Sequence, residues 1–260
     1  METILSTQNS RVKEWEKLKT KKGRRKTGRY LLEGRHLVNE VLQSGAELDY
    51  VVSTQAELDV ITFTVPEEKL VIISEKIADR LSDTVTTQGI FAIVQIPNQQ
   101  RQLAEPQGNE AGAWLFLDNI QDPGNIGTMV RTADAAGFAG VVFGKGTADI
   151  FNPKVQRAMQ GSQFHIQLIL GNLEIWLKQF QAAHYPVYGT ELNPQAKQYT
   201  DIEQVRDFAL IMGNEGNGMS QELLKQTTAN VYIPITGQAE SLNVAVAAGI
   251  LMFALKANEL

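Results

Sequence analysis

Residues 114–143 read WLFLDNIQDPGNIGTMVRTADAAGFAGVVF. Trp114–Leu117 is an apolar strand candidate, and Asp122-Pro123-Gly124-Asn125 is a tight turn feeding a helix. Ile126, Met129, Val130 and Ala133 recur at offsets of 3, 4 and 7 residues, the buried stripe of that helix. Gly140–Phe143 is the next strand candidate. A strand, a helix and a strand joined by short connections build a parallel sheet covered on both faces.

The alternation continues downstream. Phe164–Leu170, Val187–Thr190, Phe208–Met212 and Asn230–Pro234 read as strands, helical stretches fall between most of them, and a last helix runs from about Leu242 to Lys256. No solenoid-like repeat is visible. Ligands in such sheets bind at loops beyond the C-terminal ends of the strands, which singles out the loops after Leu117, Thr190, Met212 and Pro234.

Upstream, the first hundred residues read as a smaller α/β unit. Ser10 is placed to cap a helix carrying Val12, Trp15 and Leu18, and Tyr30–Leu32 is a short strand. A second helix carries Leu37, Val38, Val41 and Leu42 and should stop at Gly45. Strands are expected at Tyr50–Ser53, Leu70–Ile73 and Ile90–Ile96, with Ile77 and Leu81 on a helix before the last. PNQQRQLAEPQGNEAG, residues 97–112, is polar and contains Pro and Gly. The expected division is therefore a domain at 1–97, a linker at 98–112 and a second domain at 113–260.

The chain has 260 residues, 43% hydrophobic and 20% charged, which excludes a disordered or collagenous protein. It has no cysteine, so disulfides, thiolate metal sites and cysteine nucleophiles are absent. No secretory signal is visible at the N-terminus and no apolar run is long enough to span a bilayer, so a cytosolic, membrane-free protein is expected. The net charge of −5 argues against a nucleic-acid binder, but its distribution does not. Residues 1–36 carry 11 Lys/Arg against 4 Asp/Glu, and the other 224 carry 13 against 25.

Three loops carry the chemical signal. LDNIQDPGNIGTMVRTADAAGF (117–138) puts Arg131 off the buried stripe, where a pair with Asp134 would be mere surface decoration. LIMGNEGNGMS (210–220) is glycine-rich directly after a strand, but lacks the Lys-Ser/Thr of a P-loop and the Rossmann glycine spacing. VYIPITGQAESLNVAVAAGILMF (231–253) offers Ser241 as a helix cap, with Asn243 in the first turn of an otherwise apolar helix.

In this order and spacing, DPGNIGTMVRTADAAG, MGNEGNGMS and IPITGQAESLNVAVAAGI resemble the three motifs of the SpoU/TrmH family of RNA ribose 2′-O-methyltransferases, within the SPOUT class. The match covers roughly residues 113–258. NSRVKEWEKLK and YLLEGRHLVNEVL are similar to the ribosomal-protein-like substrate-binding domain that precedes many members. The two-domain form looks most like enzymes of large-subunit ribosomal RNA.

The resemblance implies an α/β SPOUT-type parallel sheet with a deep trefoil knot that binds S-adenosylmethionine, preceded by a small α/β RNA-binding domain. Thr190, Gly213, Asn214, Gly216, Ile233 and Leu242 fall at the cofactor positions; a side chain in the middle loop would collide with the adenosine. Arg131 matches the group that activates the ribose hydroxyl, supported by Asn125, Glu215, Ser241 and Asn243. A guanidinium stays protonated in proteins, so clamping a phosphate and orienting the 2′-OH suits Arg131 better than acting as a base. Arg11, Lys13, Lys21, Lys22, Arg24 and Arg25 are the expected phosphate contacts. A homodimer is implied through the catalytic domain, and the apolar run Val244–Leu255 accords with burial on two sides. No metal is expected, and His36, His165 and His184 share no ligand spacing. The alternatives are a tRNA ribose methyltransferase, a base methyltransferase, or a catalytically silent RNA-binding assembly factor. That last would be expected to have lost part of the Asn125, Arg131, Glu215, Ser241 and Asn243 set.

Overall fold

A computed structural model describes residues 2–97 and 103–257. The chain forms two compact units: Met1–Arg101 with Asp149–His165, and Gln102–Ala148 with Ile166–Leu260. A segment that follows the second strand of the C-terminal sheet therefore folds into the N-terminal unit. Residues 98–102 of the expected linker lie outside the described residues. In the remainder, the Ala104 N–H donates to the Leu170 carbonyl at 2.7 Å and its carbonyl accepts from Trp176 Nε1 at 3.0 Å, so this stretch lies along the second unit.

The first unit contains β1 (Glu2–Ile4), α1 (Ser10–Lys17), α2 (Lys21–Thr27), β2 (Arg29–Glu33), α3 (Arg35–Gln43), β3 (Leu48–Ser53), α4 (Gln55–Leu58), β4 (Leu70–Ile73), α5 (Glu75–Leu81) and β5 (Ile90–Gln95). Its five-stranded sheet runs β1-β4-β3-β5-β2, with β5 antiparallel to both its neighbours. Val12, Trp15 and Leu18 of the first helical stretch pack with Ile77 and Leu81 of α5 over Val52 and Phe91. The cap of α1 is Asn9, whose side chain accepts from the Arg11 N–H at 2.8 Å, and Ser10 is the first helical residue. β1 and α2 were not expected. The former is three residues that pair along β4 and bury only Ile4 in the core, and the latter has no apolar stripe to announce it.

The second unit contains β6 (Ala113–Asp118), α6 (Pro123–Ala135), β7 (Gly140–Phe143), β8 (Gln167–Leu170), α8 (Leu173–Ala182), β9 (Val187–Thr190), β10 (Lys197–Gln198), β11 (Phe208–Gly213), α9 (Gln221–Leu224), β12 (Ala229–Tyr232) and α10 (Val244–Leu255). The helix α7 (Pro153–Met159) between β7 and β8 belongs to the first unit. The sheet order is β10-β12-β9-β11-β6-β7-β8, and every pairing is parallel. The expected strand Phe164–Leu170 begins only at Gln167, because residues 162–164 make a 3₁₀ turn.

Every residue of β11 is buried, as a central strand covered on both faces requires. Trp114, Phe116, Trp176 and Phe180 form an aromatic cluster under α8, with the Phe116 ring edge-on to both Trp176 and Phe180. The expected stripe of α6 faces inward, and Ile126, Met129, Val130 and Ala133 are all inaccessible to solvent. Because the strands are parallel, Asp118, Thr190, Gly213 and Tyr232 end at one edge of the sheet, and the three loops with the chemical signal gather there.

Candidate active site

At that edge, α6 begins at Asp122, whose side chain accepts from the Asn125 N–H at 2.8 Å, followed by Pro123 in the first turn. The cap fixes the Asn125 backbone and leaves its amide to turn toward the other loops. Asn125 Nδ2 donates to Glu215 Oε1 at 3.1 Å, and Asn125 Oδ1 accepts from Asn243 Nδ2 at 2.9 Å. One side chain from each of the three loops thus joins a continuous hydrogen-bonded chain.

Glu215 is tied further. Its carboxylate accepts from the N–H groups of Gln121 and Asp122 at 3.3 and 3.1 Å. Burial pushes this carboxyl up, but hydrogen bonds from its own N–H, the Asn125 side chain, Asp122 and Gln121 outweigh it and hold it below the ordinary glutamate value. It is therefore ionised at neutral pH and serves as a fixed acceptor. Asn243 accepts from the N–H groups of Ala245 and Val246, which makes it the cap of α10 in place of Ser241. Ser241 is exposed in the loop before it. Asn243, expected in the first turn, stands one residue earlier as the cap, and that role and its bond to Asn125 explain a polar residue there.

The middle loop is a tight reversal. Asn214 and Gly218 exchange two backbone hydrogen bonds of 2.9 Å, Asn214 Oδ1 accepts from the N–H groups of Gly216 and Asn217, and Asn214 Nδ2 donates to the Asn119 carbonyl. A Cβ on Gly213 would stand 2.3 Å from the Met219 nitrogen, so glycine is required there by the protein's own backbone. This constraint comes from the chain itself and acts before any ligand is considered. A Cβ on Gly216 would meet nothing closer than Asn214 Oδ1 at 3.7 Å.

A cleft of about 660 Å³ opens at the same edge, lined by Thr190, Glu191, Ile233, Ser241, Leu242 and Leu251 among others. Four residues singled out from the sequence (Thr190, Ile233, Ser241 and Leu242) meet here; Gly213, Asn214 and Gly216 do not line it. The Thr190 hydroxyl donates to the Ile211 carbonyl at 3.0 Å, pinning β9 to β11 at the cleft mouth. The cleft suits a flat heterocycle with a cationic tail: apolar walls from Ile233, Leu242 and Leu251, and the carboxylates Glu191 and Glu240. Sequence reading passed over both acids: Glu191 lies outside the three motifs, and Glu240 stands within the third beside Ser241. Arg131 is exposed on α6 and forms no ion pair among the described residues.

The expected RNA-contacting residues divide in two. Lys13, Lys21, Lys22 and Arg25 are exposed. Arg24 is not on the surface: it is 3% exposed, and its guanidinium donates to the carbonyls of Leu18 and Lys19 and to Asp149. Arg11 lies over the rings of Trp15 and Tyr50 at 5.0 and 4.3 Å and pairs with Glu2. His36 and His165 both contact Glu40 in the first unit. Among the described residues no group of three His, Cys, Asp or Glu side chains could hold a metal, and no helix is long and apolar enough to cross a membrane.

Residues 112–253 match the SpoU rRNA Methylase family, and residues 9–92 match an MRM3-like substrate binding domain. The chain is 44% identical to the 23S rRNA (guanosine(2553)-2′-O)-methyltransferase RlmP of Bacillus subtilis, over 98% of this chain and all of that protein. Its fold matches an AdoMet-bound rRNA methyltransferase from Sinorhizobium meliloti, with a TM-score of 0.84, 30% identity, and coverage of 98% of this chain and 97% of that one. It also matches a putative RNA methyltransferase of the TrmH family from Porphyromonas gingivalis, at a TM-score of 0.82, 31% identity, and coverage of 96% and 99%. With the three motif loops joined at one sheet edge beside a cleft, the chain belongs to the SpoU rRNA methylase family.

Proposed function

We propose that this enzyme transfers a methyl group from S-adenosylmethionine to a ribose 2′-oxygen of large-subunit ribosomal RNA. The observation that carries the reading is the Glu215–Asn125–Asn243 chain, which joins the three motif loops beside the 660 Å³ cleft. The identity to the Bacillus subtilis 23S rRNA enzyme supports the choice of RNA.

S-adenosylmethionine, when bound, supplies an electrophilic methyl on a sulfonium with a neutral leaving group. Thr190, Ile233 and Leu242 would hold it from the cleft wall, with Glu191 and Glu240 answering its positive charge, while Gly213, Asn214 and Gly216 shape the neighbouring loop. What remains for the chain is alignment of the ribose hydroxyl and relief of its proton, a positioning task for fixed polar groups. Arg131 is exposed, free of ion pairs among the described residues, and follows Asn125 on the same helix α6, so it clamps the target phosphate and orients the 2′-OH. Ser241 lines the cleft and offers a hydroxyl toward the same region. The β9, β11 and β12 loops are the segments that a trefoil knot would interlace.

The first unit binds the RNA backbone through Lys13, Lys21, Lys22 and Arg25, with Lys17 and Lys26 beside them; Arg11 contributes at the edge of this surface and Arg24 supports it from beneath. The protein works in the cytoplasm, where ribosomal RNA is processed, as a homodimer. Val246, Ile250 and Phe253 support the dimer: they form one exposed apolar stripe on α10, and Phe253 is 58% exposed. Incubation with methyl-labelled S-adenosylmethionine and 23S rRNA tests the chemistry. Label should appear on a ribose oxygen, and label on a base would overturn the reading.

A further inference from the structure

The helix α2 is seven residues long, KKGRRKT, and four of those residues are exposed cations on one side: Lys21, Lys22, Arg25 and Lys26. Such a helix has every reason to come apart. It is far shorter than an isolated helix needs to be, and the pairs Lys21–Arg25 and Lys22–Lys26 set like charges one turn apart. Three features of its other side hold it. The Thr20 side chain caps its start by accepting from the Gly23 N–H at 3.1 Å. Gly23 lies so close to the end of α1 that a Cβ there would stand 1.9 Å from the Lys17 carbonyl oxygen. Arg24 reaches into the interior, donating to Leu18 O at 2.8 Å, Lys19 O at 3.0 Å and Asp149 Oδ2 at 2.8 Å.

Asp149 is the only carboxylate among these three acceptors, and it comes from 125 residues away, at the start of the segment that leaves β7. The segment is itself fastened to the first unit. The Phe151 ring packs on Tyr30 at 4.8 Å, Arg157 pairs with Asp83, and His36 Nε2 lies 2.9 Å from the Gln160 carbonyl. Asp149 Oδ1 accepts from the Phe151 N–H at 3.1 Å, so its carboxylate is oriented before it meets Arg24. The Arg24 Nε has no hydrogen-bond partner, so without Asp149 a buried guanidinium would face only two carbonyls.

We propose that Asp149 is a positioning residue for RNA binding: it touches no RNA, but through Arg24 it keeps the cationic face of α2 assembled. A segment within the matched methylase region thereby sets the affinity of the substrate-binding unit. The proposal rests on the reading that RNA lies on α2. Pre-formed cations bind a backbone without the ordering cost that a frayed helix would incur.

The test is binding of a 23S rRNA fragment as a function of salt, with the full chain. Asp149→Asn preserves shape and the bond to the Phe151 N–H but removes the charged acceptor. It should weaken RNA binding about tenfold and lower the slope of log affinity against log salt by about 2 to 3. KM for RNA should rise while kcat at saturating RNA and S-adenosylmethionine affinity stay within about twofold, a split that general destabilisation would not give. Asp149→Glu should recover most of the affinity. If Asp149→Asn does not fold, Arg24→Lys, which retains the charge but loses the fork, should weaken RNA binding in the same way. Wild-type affinity and salt slope in a folded Asp149→Asn or Arg24→Lys protein would overturn the proposal. The combined variant Lys21→Ala, Lys22→Ala, Arg25→Ala separates the two ideas. If it binds RNA as tightly as the wild type, RNA is not on α2 and both fall; if it binds weakly while Asp149→Asn binds normally, only the role of Asp149 falls.

Discussion

Asn243 donates its side-chain amide to the side-chain oxygen of Asn125 at 2.9 Å, across 118 residues of sequence. The Oδ1 of the same side chain caps α10, so one residue both starts the last helix and fastens the third loop to the first. The two jobs separate by substitution. Asn243→Ala loses both and should cost about 1–2 kcal/mol in thermal denaturation. Asn243→Asp retains the cap but turns an acceptor toward the Asn125 oxygen. Its stability should stay within about 0.5 kcal/mol of wild type while single-turnover methyl transfer falls at least tenfold. Equal activity in Asn243→Asp and wild type would show that the link has no catalytic part.

Glu215 gives the site a pH dependence of known sign. Its folded value lies below the ordinary one, so the stabilisation is fully present above the unfolded value and is lost as pH falls through the folded one. The carboxyl is exposed, which keeps the effect small. In denaturation curves measured from neutral to acid pH, wild type and Glu215→Gln should differ at neutral pH and converge below the usual carboxylate range. A gap that widens in acid would reverse the assignment.

The two loop glycines should behave oppositely. Gly213→Ala forces a Cβ onto the Met219 backbone and should cost at least about 2 kcal/mol, with loss of S-adenosylmethionine binding. Gly216→Ala has room and should melt within about 0.5 kcal/mol of wild type. Calorimetry with the cofactor on both variants checks this, and similar melting of the two would contradict it.

Arg131→Lys distinguishes a phosphate clamp from a base. A clamp reduced to a point charge should retain measurable turnover and show weakened RNA binding, because the bidentate fork is lost. Near-total loss of turnover with unchanged RNA affinity would refute the clamp.

Phe253→Asp places a charge in the exposed stripe of α10. Sedimentation should show a monomer for this variant and a dimer for the wild type. The same mass for both would remove α10 from the interface.

The residues that announced themselves in the sequence are those whose apolar pattern is local. β4, β7 and β9 fall where the apolar runs Leu70–Ile73, Gly140–Phe143 and Val187–Thr190 put them. α6 turns inward the four residues its spacing selected. What stayed hidden depends on partners far along the chain. α2 is a run of cations until Asp149 receives Arg24, and β1 is three residues with one buried side chain, Ile4, too short to show a pattern. The caps moved, from Ser10 to Asn9 and from Ser241 to Asn243, because two neighbouring polar residues compete for each helix start and only the chain's approach decides between them. In the site, motif order brought Asn125, Glu215 and Asn243 forward, but only the folded loops show that they bond to one another. Glu191 had no such marker, Glu240 was one polar residue among several in the third motif, and both emerged only with the cleft that they line.

The most direct measurement is a map of ribose methylation over all ribosomal and transfer RNA from cells with and without this protein. The expected result is loss of a single 2′-O-methyl group in 23S rRNA, restored by the wild-type chain and not by Arg131→Ala. An unchanged ribosomal map, with a methyl group lost from a transfer RNA or from a base, would contradict the assignment.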